Sequence, residues 1–152
     1  MTSLDETVRT TLGQGFHDLH ERLRVEVRDL DAGTLNWRPL PKANSVAVLV
    51  THILGSELEM IRSVRSMPNE RDRDAEFHVE LDAARLLEMI DAADKEMTEL
   101  IAALTPDDMT SLRPRGDRTP ETGAYWLTTN YGHAREHLAQ IELTKQLYDS
   151  RT

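Results

Sequence analysis

The chain has 152 residues, 39% hydrophobic and 30% charged, with 5% aromatic residues and a formal net charge of −9. That length and balance suit one soluble domain with a buried core. The acidic balance argues against a nucleic-acid partner, which calls for a basic patch. No apolar run approaches the roughly 18 residues of a membrane span, and the lack of cysteine excludes disulfides and thiolate ligands.

The opening segment, Met1-Thr2-Ser3-Leu4-Asp5-Glu6, has no basic stretch leading into an apolar one, so no signal peptide and a cytoplasmic location are expected. Ser3-x-x-Glu6 has the form of a capping box. Leu4, Val8, Leu12, Phe16, Leu19, Leu23, Val27 and Leu30 then recur by threes and fours, which predicts a long amphipathic helix. Gly33 is placed to end it in the left-handed C′ position. His17 and His20 lie on this helix and are read as surface or boundary residues. Pro39 and Pro41 make the stretch from Leu35 to Pro41 a connector, with Trp37 plugging one end of the core.

Asn44 or Ser45 caps a second helix, whose apolar stripe is Val46, Leu49, Val50, Ile53, Leu58, Ile61 and Val64. His52 flanks that stripe, and the small residues Gly55 and Ser56 one turn on leave room beside its imidazole. The charge-dense stretch from Asn69 to Glu80 reads as a solvated crossover anchored by Phe77. Asp82 caps a third helix carrying Leu86, Leu87, Ile90, Ala93, Met97, Leu100, Ile101 and Leu104. One short turn around Met109 is expected after Thr105-Pro106. The segment Arg113-Pro114-Arg115-Gly116-Asp117-Arg118 reads as a solvated loop. Thr119-Pro120 has the form of an N-cap followed by proline at the first helical position, and predicts a fourth helix to about Tyr148. Four long amphipathic helices predict an all-α four-helix bundle. The longest connection joins the second and third helices, and can cross the bundle to leave those two parallel.

The stretch with chemical content is Asn130 to Gln140. His133 and His137 stand one helical turn apart on one face, with Asn130 and Gln140 continuing it. The adjacent stripe of Ala124, Leu127, Tyr131, Ala134, Leu138 and Ile141 is the core face, so the histidines border the core. Bundle cores build metal sites from facing helices, and His52 is the candidate third ligand. A three-histidine set leaves an open position of the kind a catalytic zinc keeps, although imidazole also suits nickel, iron and manganese. Asn130, Gln140, Ser56 and Glu59 are candidates to line the pocket or orient the imidazoles. Glu136 falls about 100° away around the helix and is not expected to ligate. His133-x-x-Glu136-His137 also matches the string of inverted zinc metallopeptidases. Those enzymes need a further carboxylate ligand well downstream and a substrate-binding sheet, and neither is expected here.

In several places the chain resembles the DinB/YfiT-like superfamily. These are Asn36-Trp37-Arg38-Pro39, Asn44-Ser45-Val46, His52 with Gly55-Ser56-Glu57, Arg71-Asp72-Arg73-Asp74-Ala75-Glu76-Phe77, and His133-x-x-x-His137-x-x-Gln140 followed by Leu143-Thr144. The resemblance spans nearly the whole chain and implies one four-helix-bundle domain over residues 1–152, with a long connection between helices two and three. It implies that His52, His133 and His137 bind one divalent metal, zinc or nickel, and that the protein pairs as a homodimer. It further implies a small-molecule substrate, and transferase chemistry in which the metal activates a low-molecular-weight thiol cosubstrate. The alternatives are a metal-dependent hydrolase activating water, or a non-catalytic dimeric bundle binding a metal or small ligand. No nucleic acid or membrane partner is expected.

Overall fold

The computed structural model describes residues 3–151. Four long helices carry the fold: α1 (Leu4–Val27), α3 (Val46–Val64), α5 (Ala83–Ala102) and α7 (Gly123–Asp149). Between them lie α2 (Ala32–Asn36), α4 (Arg73–Glu76), α6 (Pro106–Thr110) and a hairpin of β1 (Leu112–Arg115) and β2 (Arg118–Thr122). Each long helix starts on a side chain that accepts an orphan backbone N–H: Ser3 for α1, Ser45 for α3, Asp82 for α5 and Thr122 for α7.

Cross-helix contacts fix the directions. Arg9 reaches the Leu104 carbonyl while His17 and Arg24 reach Asp94 and Asp91, so α1 and α5 run antiparallel. His52 meets His133 while Ser56 meets Asn130, so α3 and α7 are antiparallel as well. Arg62 pairs with Glu96 and Arg65 with the Ala103 carbonyl, which makes α3 and α5 parallel. The connection from residue 65 to 82 therefore crosses the bundle, as its length predicts.

The core forms two contiguous groups. One centres on Leu19, Leu23, Leu49, Ile53, Ile90 and Leu138. The other centres on Phe16, Met60, Ile61, Met97, Trp126 and Leu127. Among the described residues, no helix is long and apolar enough to cross a membrane.

Several local expectations are corrected. Helix α1 stops at Val27, short of Leu30. Gly33 does not take the left-handed position that would end it. The Asp31 carboxylate instead accepts the Thr34 N–H at 2.7 Å and the Thr34 hydroxyl at 3.0 Å, and this starts α2 with Gly33 inside it. Trp37 packs edge-on against Tyr148, ring centroids 5.5 Å apart. The stretch read as a solvated loop is the β-hairpin, turned at Gly116 with φ +59°. Pro120 lies in β2 rather than at the start of the last helix. A two-stranded ribbon consists only of edges, where a missing N–H is tolerated. Arg115 in β1 is buried, at 4% exposure, with its guanidinium over the Trp126 ring. The crossover is also less solvated than expected, because it folds into the single turn α4 and buries Glu76. His20 is wholly buried, whereas His17 and His78 are exposed.

Candidate metal centre

Helices α3 and α7 lie side by side in opposite directions, which brings His52 against the pair on α7. His133 Nε2 stands 3.3 Å from His52 Nε2 and 3.0 Å from His137 Nε2. One nitrogen from each of the three rings lies within 4.8 Å of the others. Nitrogens bound at about 2.0–2.1 Å in a tetrahedral set are spaced roughly 3.3 Å apart, so the observed separations fit a shared cation. His52 is buried and the other two rings are partly buried.

The far nitrogens explain how the rings are turned. His52 Nδ1 lies 2.9 Å from Glu76 Oε2. A carboxylate only accepts, so the ring proton sits on Nδ1 and, in the neutral ring, Nε2 is bare. His137 Nδ1–H donates in the same way to Gln140 Oε1 at 2.8 Å. Two bare Nε2 lone pairs therefore aim at His133 Nε2, which can donate a proton to only one of them. A cation between the three nitrogens satisfies the whole set. Burial, then the neighbouring His137 and His52 rings and the guanidiniums of Arg115 and Arg71, push the His133 pKa down to about 4. His133 is thus neutral near pH 7, as a ligand must be. Its buried Nδ1 has no hydrogen-bond partner among the described residues.

Behind the imidazoles lies an ionic lattice. Arg71 donates through Nε to Glu76 Oε1 at 2.6 Å and through NH2 to Glu76 Oε2 at 2.9 Å. Arg71 NH1 donates to Glu59 Oε2 at 2.8 Å. Arg115 donates to the same Glu59 oxygen and, through NH2, to Ser56 Oγ at 3.0 Å. Asn130 Nδ2 donates to Ser56 Oγ at 2.9 Å. Burial opposes charge on Glu76, but the hydrogen bonds from Arg71 and His52 override it and hold its pKa below the ordinary carboxylate value.

The sequence-derived candidates are therefore distributed as follows. His52, His133 and His137 converge, and Gln140 touches His137. Asn130 bonds Ser56 directly, Arg115 joins Ser56 to Glu59, and among the described residues none of the three hydrogen-bonds an imidazole. Glu136 is exposed and outside the group. Sequence reasoning misses Glu76, Arg71 and Arg115 as site residues. Their charge density reads as solvation, and only contacts from residues distant in the chain reveal their burial. Gly55, on the face of α3 against which the Glu76 carboxylate packs, is the available hint.

A second cluster, His17, Glu21 and Asp94, also has ligand atoms within 4.8 Å of one another. There the Arg24 guanidinium already pairs with both carboxylates, supplying the positive charge a metal would bring.

Fold and site together define a four-helix bundle with three histidines converging between two antiparallel helices. The chain belongs to the DinB superfamily, whose sequence profile matches residues 16–141. Two solved structures share the fold. A conserved protein from Enterococcus faecalis has TM-score 0.79 at 16% identity, covering 95% of this chain and 98% of that one. A DinB-like protein from Bacillus subtilis has TM-score 0.68 at 15% identity, covering 93% and 94%. No curated protein matches the chain in sequence.

Proposed function

We propose that this protein is a metal-dependent enzyme that joins a small thiol to an electrophilic small molecule, with His52, His133 and His137 as ligands of one divalent cation, zinc or nickel. The observation that carries the ligand set is the convergence of two bare imidazole lone pairs on His133 Nε2, at 3.3 and 3.0 Å. Bound there, a divalent cation supplies Lewis acidity that lowers the pKa of a thiol or a water.

The choice of thiol over water rests on the surrounding carboxylates. Glu76 is taken up by Arg71 and His52, and Glu59 by Arg71 and Arg115. Neither is free to act as a general base. A thiol starts near pKa 8.5 and gives its proton to solvent without such help, whereas water starts near 15.7. The chain has no cysteine, so the sulfur belongs to a cosubstrate. The sulfur forms the new bond to the electrophilic atom, and the electron pair of the bond it displaces leaves with the departing group.

Metal analysis of untagged protein beside His133→Ala tests the ligand set: about one equivalent of zinc or nickel in the wild type, lost in the variant. Conjugation of a small thiol to an electrophile, abolished in the apo-protein, then tests the reaction. Turnover with water alone would replace this reading with metal-dependent hydrolysis. No metal uptake, even after refilling, would leave a binding bundle without this chemistry.

A further inference from the structure

We propose that Glu76 is a positioning residue for the three-histidine centre, fixing His52 with its proton on Nδ1 and its Nε2 turned toward His133 and His137, and that Gly55 is the residue that permits this. The inference rests on the metal reading above and adds the device that presets one ligand.

Glu76 arrives from the crossover, 24 residues after His52, and is 6% exposed. Its two oxygens divide the work. Oε2 accepts from His52 Nδ1 at 2.9 Å and from Arg71 NH2 at 2.9 Å, and Oε1 accepts from Arg71 Nε at 2.6 Å. The 3.3 Å approach of Arg71 NH2 to His52 Nδ1 follows from two donors sharing one oxygen. With Arg71 holding the carboxylate in a two-pronged grip, the imidazole has one orientation in which its N–H is satisfied.

The seat for this carboxylate is the surface of α3 itself. A Cβ on Gly55 would stand 2.1 Å from Glu76 Oε1, 3.0 Å from its Cδ and 3.2 Å from Arg71 Nε. Any side chain at position 55 thus competes for the space the carboxylate fills. Gly55 lies inside α3, where alanine is the better helix former, so the glycine is unfavourable for the helix and is accounted for by the carboxylate. Residues that orient metal-bound imidazoles in this way change metal affinity by roughly 10- to 100-fold when removed.

Gly55→Ala is the informative variant, because the clash falls on the far end of the Glu76 side chain and not on backbone, and it alters no ligand and no charge. Full-chain wild type, Gly55→Ala and Glu76→Gln are compared by zinc competition with a chromogenic chelator. Urea denaturation of each apo-protein and nitrogen NMR of the His52 ring accompany it. The expected result is an Nδ1–H tautomer at His52 in the wild-type apo-protein. Zinc affinity is expected to fall about 10- to 100-fold in both variants, with the Gly55→Ala apo-protein still cooperatively folded and its stability loss too small to account for the affinity change. Wild-type affinity in both variants, or an Nε2–H tautomer at His52 in the wild type, overturns the proposal. So does a loss of apo stability in Gly55→Ala that accounts for the whole affinity change. If the wild type takes up no metal, the metal reading fails, and the His52 tautomer alone decides whether Glu76 orients that ring.

Discussion

The imidazole of His20 donates to the carboxylate of Glu57 across 2.7 Å with neither side chain exposed, and its other nitrogen lies 2.8 Å from Asp94. One ring facing two carboxylates holds its proton firmly. Burial opposes the charge on His20, but Glu57 and Asp94 outweigh it and raise the pKa above the ordinary 6.5. Burial raises Glu57 as well, and hydrogen bonds lower Asp94 despite its burial. The sign follows from the protons bound. The folded pair retains a proton that the unfolded chain releases near 6.5, so its contribution is complete below that pH and is lost as pH rises through the raised value. Asp94 contributes above about 3.8 and is lost as pH falls toward its lowered value. Urea denaturation from pH 6 to 9 should show stability falling with pH, and His20→Gln should flatten that slope.

The same pair gives a prediction on substitution. His20→Ala leaves the Glu57 carboxylate buried without its partner, and should cost about 3–5 kcal/mol. The double change His20→Leu with Glu57→Leu removes both charges and keeps the space filled, so it should cost less than the single change. A double-mutant cycle by urea denaturation at pH 6 reads the difference. Equal costs for the single and double variants would place the energy in packing instead of charge.

Two glycines of α7 should respond in opposite ways to alanine. A Cβ on Gly123 would lie 1.9 Å from the Asp108 carbonyl oxygen and 3.0 Å from Val64 Cγ1. The Asp108 backbone on one side and the buried Val64 side chain on the other cannot yield cheaply, so Gly123→Ala should destabilise by about 2–4 kcal/mol, within the range of core overpacking and above. Gly132 is exposed in the same helix with nothing within 4 Å of its would-be Cβ. Gly132→Ala should therefore stabilise by roughly 0.5–1 kcal/mol through helix propensity. Thermal melts of the two variants beside wild type check both signs.

These contacts mark how far the sequence alone reaches. The four long helices are legible because apolar side chains recurring by threes and fours leave few other ways to bury them. The facing of His133 and His137 is likewise a matter of helical pitch. The hairpin is not legible, because Thr119-Pro120 has the same local form as an N-cap with proline after it. The true cap, Thr122, is chosen by strand pairing of Arg113 with Glu121 and Arg115 with Arg118. Arg115, Glu76 and His20 escape for a shared reason. A polar residue is buried only when its partners satisfy it, and the decisive partners of Arg115 and His20 lie 56 and 37 residues away, while Glu76 is drawn in by Arg71 nearby together with His52, 24 residues back.

Arg115 should behave as a structural cation rather than a surface one. It is buried, and it bonds Ser56 and Glu59 on α3 while stacking over Trp126 on α7. Arg115→Ala removes a donor to the Ser56 carbonyl and hydroxyl and leaves Glu59 with Arg71 alone. A cost of about 3 kcal/mol is expected, and Arg115→Lys should recover only part of it, because a point charge cannot match the planar fork. By contrast, Arg85→Ala, which removes an exposed pair with Glu88, should change stability by less than about 1 kcal/mol. Chemical denaturation of the three variants decides whether the hairpin is clamped in this way.

Metal removal should register in stability as well as in activity. A cation that binds the folded chain alone adds RT ln(1 + [L]/Kd), about 2.7 kcal/mol when free metal is 100-fold above Kd. The unfolded chain separates His52 from His133 by 81 residues, so it cannot reproduce the facial set and competes weakly. Calorimetric scans should therefore show Tm rising with zinc concentration and returning to a fixed lower value in excess chelator. In His137→Ala the two remaining imidazoles lie on different helices, and the zinc-dependent part of the shift should collapse while the chelator-treated Tm stays close to wild type. A variant whose apo Tm fell as far as its zinc-loaded Tm would show that the ring's packing carries the effect, and would remove this support for the three-histidine ligand set.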